Sequence, residues 1–482
     1  MRAAMAEKGA PAVAPAPHRR LTLAGSVLGA AIVALDGTVL TIAQPTLQRD
    51  LGASFAEVQW TGTGYLIAVA SLLVFAGRLG DRYGHQRVFA CGMLGFGAAS
   101  AGIGFAPGVG WVIGLRVAQG VFGALLQPAT LGMLRAAFPP DRLAMPIALR
   151  TSAIGLAVVA GPLVGGVLVT QLGWRSVFFL NVLPALVMGL AALAVRAPEV
   201  RGAPVGGLDL AGAALLAAAL AGLVHTLVGI PEHGWTATGV LVLLSTAAAA
   251  ATFVWHERRA PSPLLPPAVL RSSAVGAALG VLVAASAAML GAMFVGSYVL
   301  QGALGMDPLR TSLTALPGGL AMAVVAPVAG VLLRRWGARP TTVTGAVLLT
   351  AGILALSRIG PGSSAVAIGG GFLLLGAGFG AVMVTATAVV VRHAPPEAAG
   401  VVGGLQQTAL NVGPTLGVAA ATTLLPLSDA PGGVAAGPSL LSLAAMSALG
   451  ALLAARMPRH DSPARDGSPP VRNHEDKDVR EP

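Results

Sequence analysis

Charged residues are scarce in this sequence. Asp, Glu, Lys and Arg together make up 10% of its 482 residues, whereas 55% of the residues are hydrophobic and the mean hydropathy is +0.78. A soluble domain carries about 25% charged residues, because its surface faces water. The composition therefore excludes a soluble protein of this length and predicts a chain that lies mostly in a lipid bilayer.

Cysteine and lysine are almost absent, and their scarcity excludes several classes of protein. A single cysteine, Cys91, excludes an internal disulfide bond. The two lysines, Lys8 and Lys477, lie in the terminal segments, so no phosphate-loop lysine exists for an ATP-driven pump. The H-E-x-x-H and G-x-S-x-G patterns are missing, and no ring of charged residues suits a channel. We expect neither an enzyme nor a metal or cofactor site.

Long apolar runs take the place of charge. Fourteen stretches of about 20 mostly apolar residues match the length that a helix needs to cross a bilayer. In lipid the backbone must form its own hydrogen bonds, and a helix does so within one segment. We therefore predict an all-α polytopic membrane protein with fourteen transmembrane helices.

Cationic residues are distributed unevenly among the predicted loops. Of the 30 Lys and Arg residues, 25 lie in segments on one side of the membrane if both termini lie there, and four lie on the other side. Arg150 is counted among the 25. This excess predicts that both termini are cytoplasmic. The net charge of +11 is then an orientation signal and requires no nucleic-acid partner.

Three pairs of segments indicate an internal repeat. GRLGDRYGHQR from Gly77 resembles GVLLRRWGARP from Gly330, GPLVG from Gly161 resembles GPTLG from Gly413, and a further pair differs by 256 to 257 residues. Repeated halves are typical of transporters. The predicted organisation is a cytoplasmic tail at 1–20, a six-helix bundle at 21–204, inserted helices 7 and 8 at 205–257, a cytoplasmic linker at 258–272, a second six-helix bundle at 273–456 and a disordered cytoplasmic tail at 457–482.

Asp36 is the one acidic residue that we place deep inside a predicted helix, and Arg116 is the one cation. Ionisable groups inside a membrane are costly, so they face protein or a water-filled cavity. We expect Asp36 to gain and lose a proton and Arg116 to modulate it, directly or through Gln119 and water. A purely structural ion pair between helices 1 and 4 is the alternative. The repeat offsets of 253 for Asp36 and 256 for Arg116 place Met289 and Phe372 at the corresponding positions, so the second half lacks both charges.

Several motifs together resemble a known family. They comprise a charged turn (Gly77, Asp81, Arg82, Gly84 and Arg87), a helix-4 pattern (Arg116, Gln119 and Gly120), a helix-5 pattern (Gly155, Gly161, Pro162, Gly165 and Gly166) and a helix-1 segment (Leu35, Asp36, Thr38, Val39 and Pro45). With them the chain resembles the major facilitator superfamily, specifically its fourteen-helix drug:proton antiporter subfamily. It departs from the pattern at His85 and Gln86, where cations are usual, and at Thr41.

The resemblance implies a fold and a function. The implied fold is two six-helix bundles plus two inserted helices. The resemblance also implies a monomer in the plasma membrane of a bacterium. The function is proton-coupled antiport that exports small amphiphilic drugs or antibiotics by alternating access, driven by the proton gradient without a cofactor. An exporter or proton symporter of one specific metabolite with the same fold is the alternative.

The resemblance also assigns roles to two of the motifs. The charged turn clamps the two halves together on the cytoplasmic side, and helix 5 seals the cavity against leak. A topology anchor and close helix packing, respectively, are the plain structural alternatives. From the charge of Asp81 alone, we expect its carboxylate near the N-terminus of helix 3 or of an adjacent helix.

A substrate is expected near the membrane midplane, between the halves. The candidate lining residues are amides and one phenol: Gln44, Gln119, Gln127, Tyr298, Gln301, Gln407 and Asn411. Aromatic residues make up 5% of the chain. Few aromatic side chains are therefore present to form a cage around a quaternary cation. We therefore expect neutral or weakly charged amphiphiles.

Overall fold

A computed structural model describes residues 16–194, 207–234, 236–306, 308–360, 362–395, 398–424 and 437–457 of the chain. These residues form fourteen helices of 18 or more residues. We number them α1 (Ala16–Leu51), α2 (Phe55–Tyr83), α3 (His85–Gly104), α4 (Val109–Ala137), α5 (Ala144–Leu172), α6 (Ser176–Ala194), α7 (Leu210–His233), α8 (Ala237–Glu257), α9 (Ser273–Tyr298), α10 (Pro308–Trp336), α11 (Ala338–Leu356), α12 (Ala365–Arg392), α13 (Ala399–Leu424) and α14 (Gly437–Ala454).

Thirteen of these helices are long and apolar enough to cross a membrane. The exception among the described helices is α13, whose apolar run is interrupted by Gln406, Gln407 and Asn411. Its 26 residues still give a length of about 39 Å, which exceeds the roughly 30 Å of a bilayer core. The prediction of an all-α polytopic membrane protein is confirmed. The two expected tails lie outside the described residues, except at 16–20, where α1 begins, and at Met457.

The two halves repeat the same helix packing. In the first half α1 packs against α4 and α5, α2 against α4, and α3 against α4 and α6. In the second half α9 packs against α12 and α13, α10 against α12, and α11 against α12 and α14. The halves meet where α2 contacts α13 and where α5 contacts α10, so the interface repeats as well.

Contacts of two glycine residues show which residues correspond in α1 and α9, the first helices of the two halves. Gly161 of α5 lies against the side chain of Thr38 in α1, and Gly413 of α13 lies against Ser286 in α9. Thr38 therefore corresponds to Ser286, a separation of 248 residues, which places Ala284 opposite Asp36. The offset of 253 that assigned Met289 was wrong for this helix, because the connecting loops of the halves differ in length. The second half still lacks an acid at this position.

The inserted helices lie beside one seam of the molecule. α7 packs against α8 and also contacts α2 and α13, which belong to different halves. The linker after α8 returns to this seam: Leu264 and Leu265 are buried in one apolar cluster with Val74 of α2 and Val401 of α13. The carboxylate of Glu257 holds the turn by accepting hydrogen bonds from the backbone amides of Leu264 at 2.8 Å and Leu265 at 3.1 Å.

The halves are in close contact at the end of the bundle that carries the Gly77–Val88 turn, which we call the turn face. There the backbones of Gly77 and Gly400 are so close that a Cβ on either would overlap the other residue. At the second seam Gly330 of α10 lies against Ala144 and Ala148 of α5. Only glycine permits backbones to approach this closely. The structure is therefore closed at the turn face.

Candidate functional site

Asp36 lies inside α1 and is 5% exposed. Its Oδ2 accepts a hydrogen bond of 2.6 Å from Nη1 of Arg116. Its Oδ1 accepts hydrogen bonds from Nε2 of Gln119 at 3.1 Å and from Nδ2 of Asn181 at 2.8 Å. Helices α4 and α6 thus converge on one carboxylate of α1. Three donors satisfy its ionised form in an environment of low dielectric, where such bonds are strong.

Arg116 is 1% exposed, and its guanidinium forms several hydrogen bonds and a contact with an aromatic ring. Besides Asp36, its Nη1 donates to Oε1 of Gln119 at 2.6 Å, and its Nε donates to the backbone oxygen of Thr61 at 3.0 Å. Its guanidinium carbon lies 4.3 Å from the ring centroid of Tyr65. The glycine that follows Gln119 in the helix-4 motif, Gly120, lies against the backbone of Tyr65, where a Cβ would clash. The motif therefore positions the cation and lets α2 approach α4.

Sequence reasoning missed two members of this polar cluster. Asn181 of α6 binds Asp36 directly, and Ser100 of α3 accepts a hydrogen bond of 2.8 Å from Nε2 of Gln119. Both are buried. Asn181 is an isolated amide in the apolar run FFLNVLP, and a lone polar residue in a membrane helix is a usable signal. Ser100 offered no such signal, because the hydroxyl groups of serine and threonine commonly form hydrogen bonds with backbone carbonyl groups of their own helix.

The glycines of the helix-5 pattern, which lie in α5, contact two different helices, α1 and α10. Gly161 and Gly165 face α1, at Thr38 and Val39, two and three residues beyond Asp36. Gly155 faces the other half and contacts α10 near Gly319 and Ala323. A Cβ at Gly166 would meet no neighbouring atom within 4 Å, and Pro162 lies inside the continuous helix. Helix α5 thus links the surroundings of Asp36 to the second half.

The charged turn closes onto the opposite half. Oδ1 of Asp81 accepts a hydrogen bond of 2.7 Å from the amide of Gly400, and Oδ2 accepts one of 3.1 Å from Val401. These amides lie in the first turn of α13, so the carboxylate lies at the N-terminus of an adjacent helix and gains from its dipole. Gly84 has φ of +93° between α2 and α3, a conformation that favours glycine.

The two cations of the turn remain near its surface. Arg82 and Arg87 are exposed. The guanidinium of Arg82 lies over the ring of Tyr83 at 5.6 Å. They are therefore placed to anchor the turn face in water, whereas Asp81 contacts the opposite half.

The predicted substrate residues do not form one group. Gln127 of α4 and Gln407 of α13 are buried and hydrogen-bonded to each other across the two halves. Asn411 donates to the backbone oxygen of Gln407 at 2.8 Å. Gln44 lies near Gly62, whereas Tyr298 and Gln301 are exposed at the end of α9 away from the turn face. Only the amides of α4 and α13 meet between the halves.

Arg116 is not the only buried cation. Arg150, expected in a cytoplasmic segment, lies in the second turn of α5 and is 2% exposed. α5 begins at Ala144, directly after the short 3-10 turn Pro140–Arg142, so Arg150 lies within the helix and in the packed interior instead of in a cytoplasmic segment.

Comparisons with known proteins agree with this architecture. The chain is 41% identical over 412 residues to the tetracenomycin C resistance and export protein of Streptomyces glaucescens, covering 84% of this chain and 75% of that protein. It is 35% identical over 427 residues to a Streptomyces coelicolor protein named "Probable actinorhodin transporter", covering 86% of this chain and 74% of that protein.

The fold and the family follow from two further comparisons. A solved structure of the human organic anion transporter MFSD10 (TETRAN) matches with a TM-score of 0.66 over 92% of this chain and 100% of that one, at 17% identity, which shows a shared fold. The model of the Major Facilitator Superfamily matches residues 26–418. The chain therefore belongs to the Major Facilitator Superfamily and is a multi-pass membrane transporter, not an enzyme.

Proposed function

We propose that this transporter is a proton-coupled antiporter that exports small amphiphilic compounds, such as antibiotics, across the plasma membrane of a bacterium. It would act as a monomer of the fourteen-helix drug:proton antiporter subfamily, with its turn face and both termini in the cytoplasm. The excess of cationic residues in the segments of the turn face supports this orientation.

The buried pair of Asp36 and Arg116 carries the proposal. In its ionised form Asp36 binds Arg116 at 2.6 Å and accepts two further hydrogen bonds. Protonation removes the negative charge, so Arg116 loses its ion-pair partner and keeps its contacts with Gln119, Thr61 and Tyr65. Loss of a buried ion pair changes the free energy by several kcal/mol. One proton is thus enough to alter how α1, α4 and α6 pack together.

A continuous set of contacts connects this pair with the interface. Thr38, two residues beyond Asp36, lies against Gly161 of α5. Further along α5, Gly155 contacts α10 of the second half, and Oγ of Ser152 donates to the backbone oxygen of Ala323 at 2.7 Å. A shift of α1 on protonation would therefore displace α5 against α10.

The charged turn, Gly77–Val88, would act as the cytoplasmic gate. The carboxylate of Asp81 accepts hydrogen bonds from the amides of Gly400 and Val401 in the first turn of α13, so opening to the cytoplasm requires these bonds to break. Proton entry from outside and substrate entry from the cytoplasm would then alternate, because one face opens only as the other closes.

The substrate class is inferred from the relatives and from the site. One relative is named for resistance to tetracenomycin C and its export, and another is named for actinorhodin. The buried amides Gln127 and Gln407 lie between the halves, where polar groups of an otherwise apolar compound would bind.

Everted membrane vesicles test the proposal. Energised vesicles with the wild-type chain should accumulate tetracenomycin C, and a protonophore should abolish the accumulation. Asp36→Asn should reduce proton-driven accumulation at least tenfold, whereas Asp36→Glu should retain part of it. Full proton-driven transport by Asp36→Asn would show that another group carries the proton.

The direction of transport separates the alternatives. In proteoliposomes, an inwardly directed proton gradient should drive the compound outward in an antiporter and inward in a symporter. A transporter of one metabolite should also reject unrelated amphiphilic antibiotics, which an exporter of broad specificity accepts.

A further inference from the structure

The hydroxyl group of Tyr65 in α2 is buried without a partner. Tyr65 is 7% exposed, and its Oη has no hydrogen-bond partner among the described residues. Buried polar groups in proteins are almost always paired. If the ring only filled space, a phenylalanine would fill it without the cost of an unpaired hydroxyl. The hydroxyl therefore needs a partner that this conformation does not supply.

The ring and the hydroxyl of Tyr65 lie against different residues of α4. The guanidinium carbon of Arg116 lies 4.3 Å from the ring centroid. The hydroxyl lies beside Gly123, where a Cβ would be 3.3 Å from Oη. Tyr65 thus extends from the cation of the buried ion pair toward the C-terminal end of α4.

The same face of α4 leads to a contact between the halves. Positions spaced by three and four residues share one face of a helix, and such a row on α4 comprises Arg116, Gly120, Gly123 and Gln127. Gln127 is hydrogen-bonded to Gln407 of α13 in the other half. Oε1 of Gln407 is a second buried oxygen without a partner among the described residues. The row that Tyr65 covers therefore ends between the halves.

We propose that Tyr65 donates a hydrogen bond to a carbonyl group of a neutral substrate and couples substrate binding to the charge of Asp36. This rests on the proposed export function and extends it to one class of compound. The phenol supplies an O–H donor, and the free Oε1 of Gln407 is an acceptor. The complementary ligand is an uncharged amphiphile that has a carbonyl group and a hydroxyl or N–H group.

The contact of Tyr65 with Arg116 connects this ligand to the proton. While Asp36 is ionised, it binds Arg116 at 2.6 Å and holds the guanidinium against the ring of Tyr65. Protonation of Asp36 removes the charge that fixes Arg116, so the hydroxyl loses its position beside Gly123. Coupling between two ligands is reciprocal. A bound substrate therefore disfavours the proton as much as the proton disfavours the substrate, which suits antiport.

Two probes that differ in a carbonyl group test the binding step. Acridone and acridan share three fused rings and an N–H group, and only acridone has the carbonyl. Binding to the full chain in phosphatidylcholine nanodiscs is measured by equilibrium dialysis, with empty nanodiscs as the blank. The wild-type chain should bind acridone about tenfold more tightly than acridan, whereas Tyr65→Phe should bind acridone and acridan alike and keep its affinity for acridan within about twofold.

Thermal unfolding separates this role from packing. Because Oη has no partner, Tyr65→Phe should unfold at the same temperature as the wild type or at a higher one. The control is Tyr83→Phe, which loses a hydroxyl from a residue that is 51% exposed and should keep the preference for acridone. Equal affinity of the wild-type chain for both probes, or an equal loss of both in Tyr65→Phe, would overturn the assignment.

A double-mutant cycle tests the coupling. Asp36→Asn imitates the protonated acid and should weaken the binding of acridone at least about fivefold when Tyr65 is present. In the Tyr65→Phe background, the same change should weaken it less than about twofold. An equal effect in both backgrounds would show that the hydroxyl does not transmit the charge of Asp36.

Transport in everted vesicles distinguishes this inference from the proposed function. If a proton gradient drives acridone into wild-type vesicles and equally into Tyr65→Phe vesicles, antiport stands and the role of Tyr65 is wrong. If Tyr65→Phe loses the preference for acridone in binding, but no proton gradient moves acridone with the wild-type chain, the proposed antiport is wrong and the carbonyl site stands.

Discussion

Asp81 accepts a 2.7 Å hydrogen bond from the backbone amide of Gly400, 319 residues further along the chain. Asp81 lies in the last turn of α2 in the first half, and Gly400 lies in the first turn of α13 in the second. The two residues therefore join the halves through a charge at a helix N-terminus. The side chain of Asp81 is 2% exposed, so water screens this interaction little.

We expect Asp81→Asn to shift the protein toward the conformation open at the turn face. An amide keeps one acceptor but loses the charge, which costs about 1–2 kcal/mol and changes the ratio of conformations about 5- to 30-fold. Distances between spin labels at Ala136→Cys and Arg335→Cys, in a Cys91→Ser background, should show a larger population of long distances.

The control for this prediction is Asp141→Asn. Asp141 lies in the loop that follows α4, but its side chain is 72% exposed and its Arg142 partner is 3.8 Å away. Exposed pairs of this kind contribute about 0–1 kcal/mol, so its distances should match the wild type. An equal shift of the spin-label distances in both variants would show that the change in net charge, and not the loss of the contact with Gly400, causes the effect.

Arg116→Met should destabilise the protein more than the combined change Asp36→Asn and Arg116→Met. The single variant leaves Asp36 buried with its charge uncompensated, at a cost of about 3–5 kcal/mol, whereas the double variant removes both charges. Thermal unfolding in detergent, followed by intrinsic fluorescence, measures the difference. A double variant no more stable than Arg116→Met would show that the charge of Asp36 is not what the arginine compensates.

Gly161→Ala and Gly166→Ala make the same change on one helix with opposite expected results. The new Cβ at 161 would overlap Thr38, whereas at 166 it would meet no neighbouring atom within 4 Å. We expect Gly161→Ala to lose about 1–3 kcal/mol by overpacking and to lose efflux, and Gly166→Ala to resemble the wild type. Adding Thr38→Ala should restore the first variant, and failure to do so would place the critical contact elsewhere.

Leu264→Ala should open the turn face by weakening the apolar cluster at the seam. Leu264 is 1% exposed and packs with Val74 and Val401, which belong to different halves. Removing a buried leucine side chain costs about 2–5 kcal/mol, and part of this cost falls on the closed conformation only. The same spin labels measure the shift, and Leu241→Ala, at a residue of α8 that is 66% exposed, should cause none.

How much of the site could be predicted depended on how far each residue stood out from its segment. Asp36 and Arg116 are ionisable groups in apolar runs, so their importance was visible, and the structure brings them within 2.6 Å. Arg150 lay close to a predicted helix boundary, where a cation is usual, and its burial could not be predicted. Asn181 was visible as a lone amide, but not as a ligand of Asp36.

The sequence by itself determined that the chain spans a membrane with long helices in two related halves, because composition, segment length and repeated motifs do not depend on tertiary contacts. The tertiary structure decided which faces of those helices meet. A helix that is apolar on all sides gives no signal of its rotation, so the pairing of Asp81 with Gly400, of Gln127 with Gln407 and of Thr38 with Gly161 required the packed fold. The same holds for the match of Thr38 with Ser286, because loop lengths shift the repeat from one helix to the next.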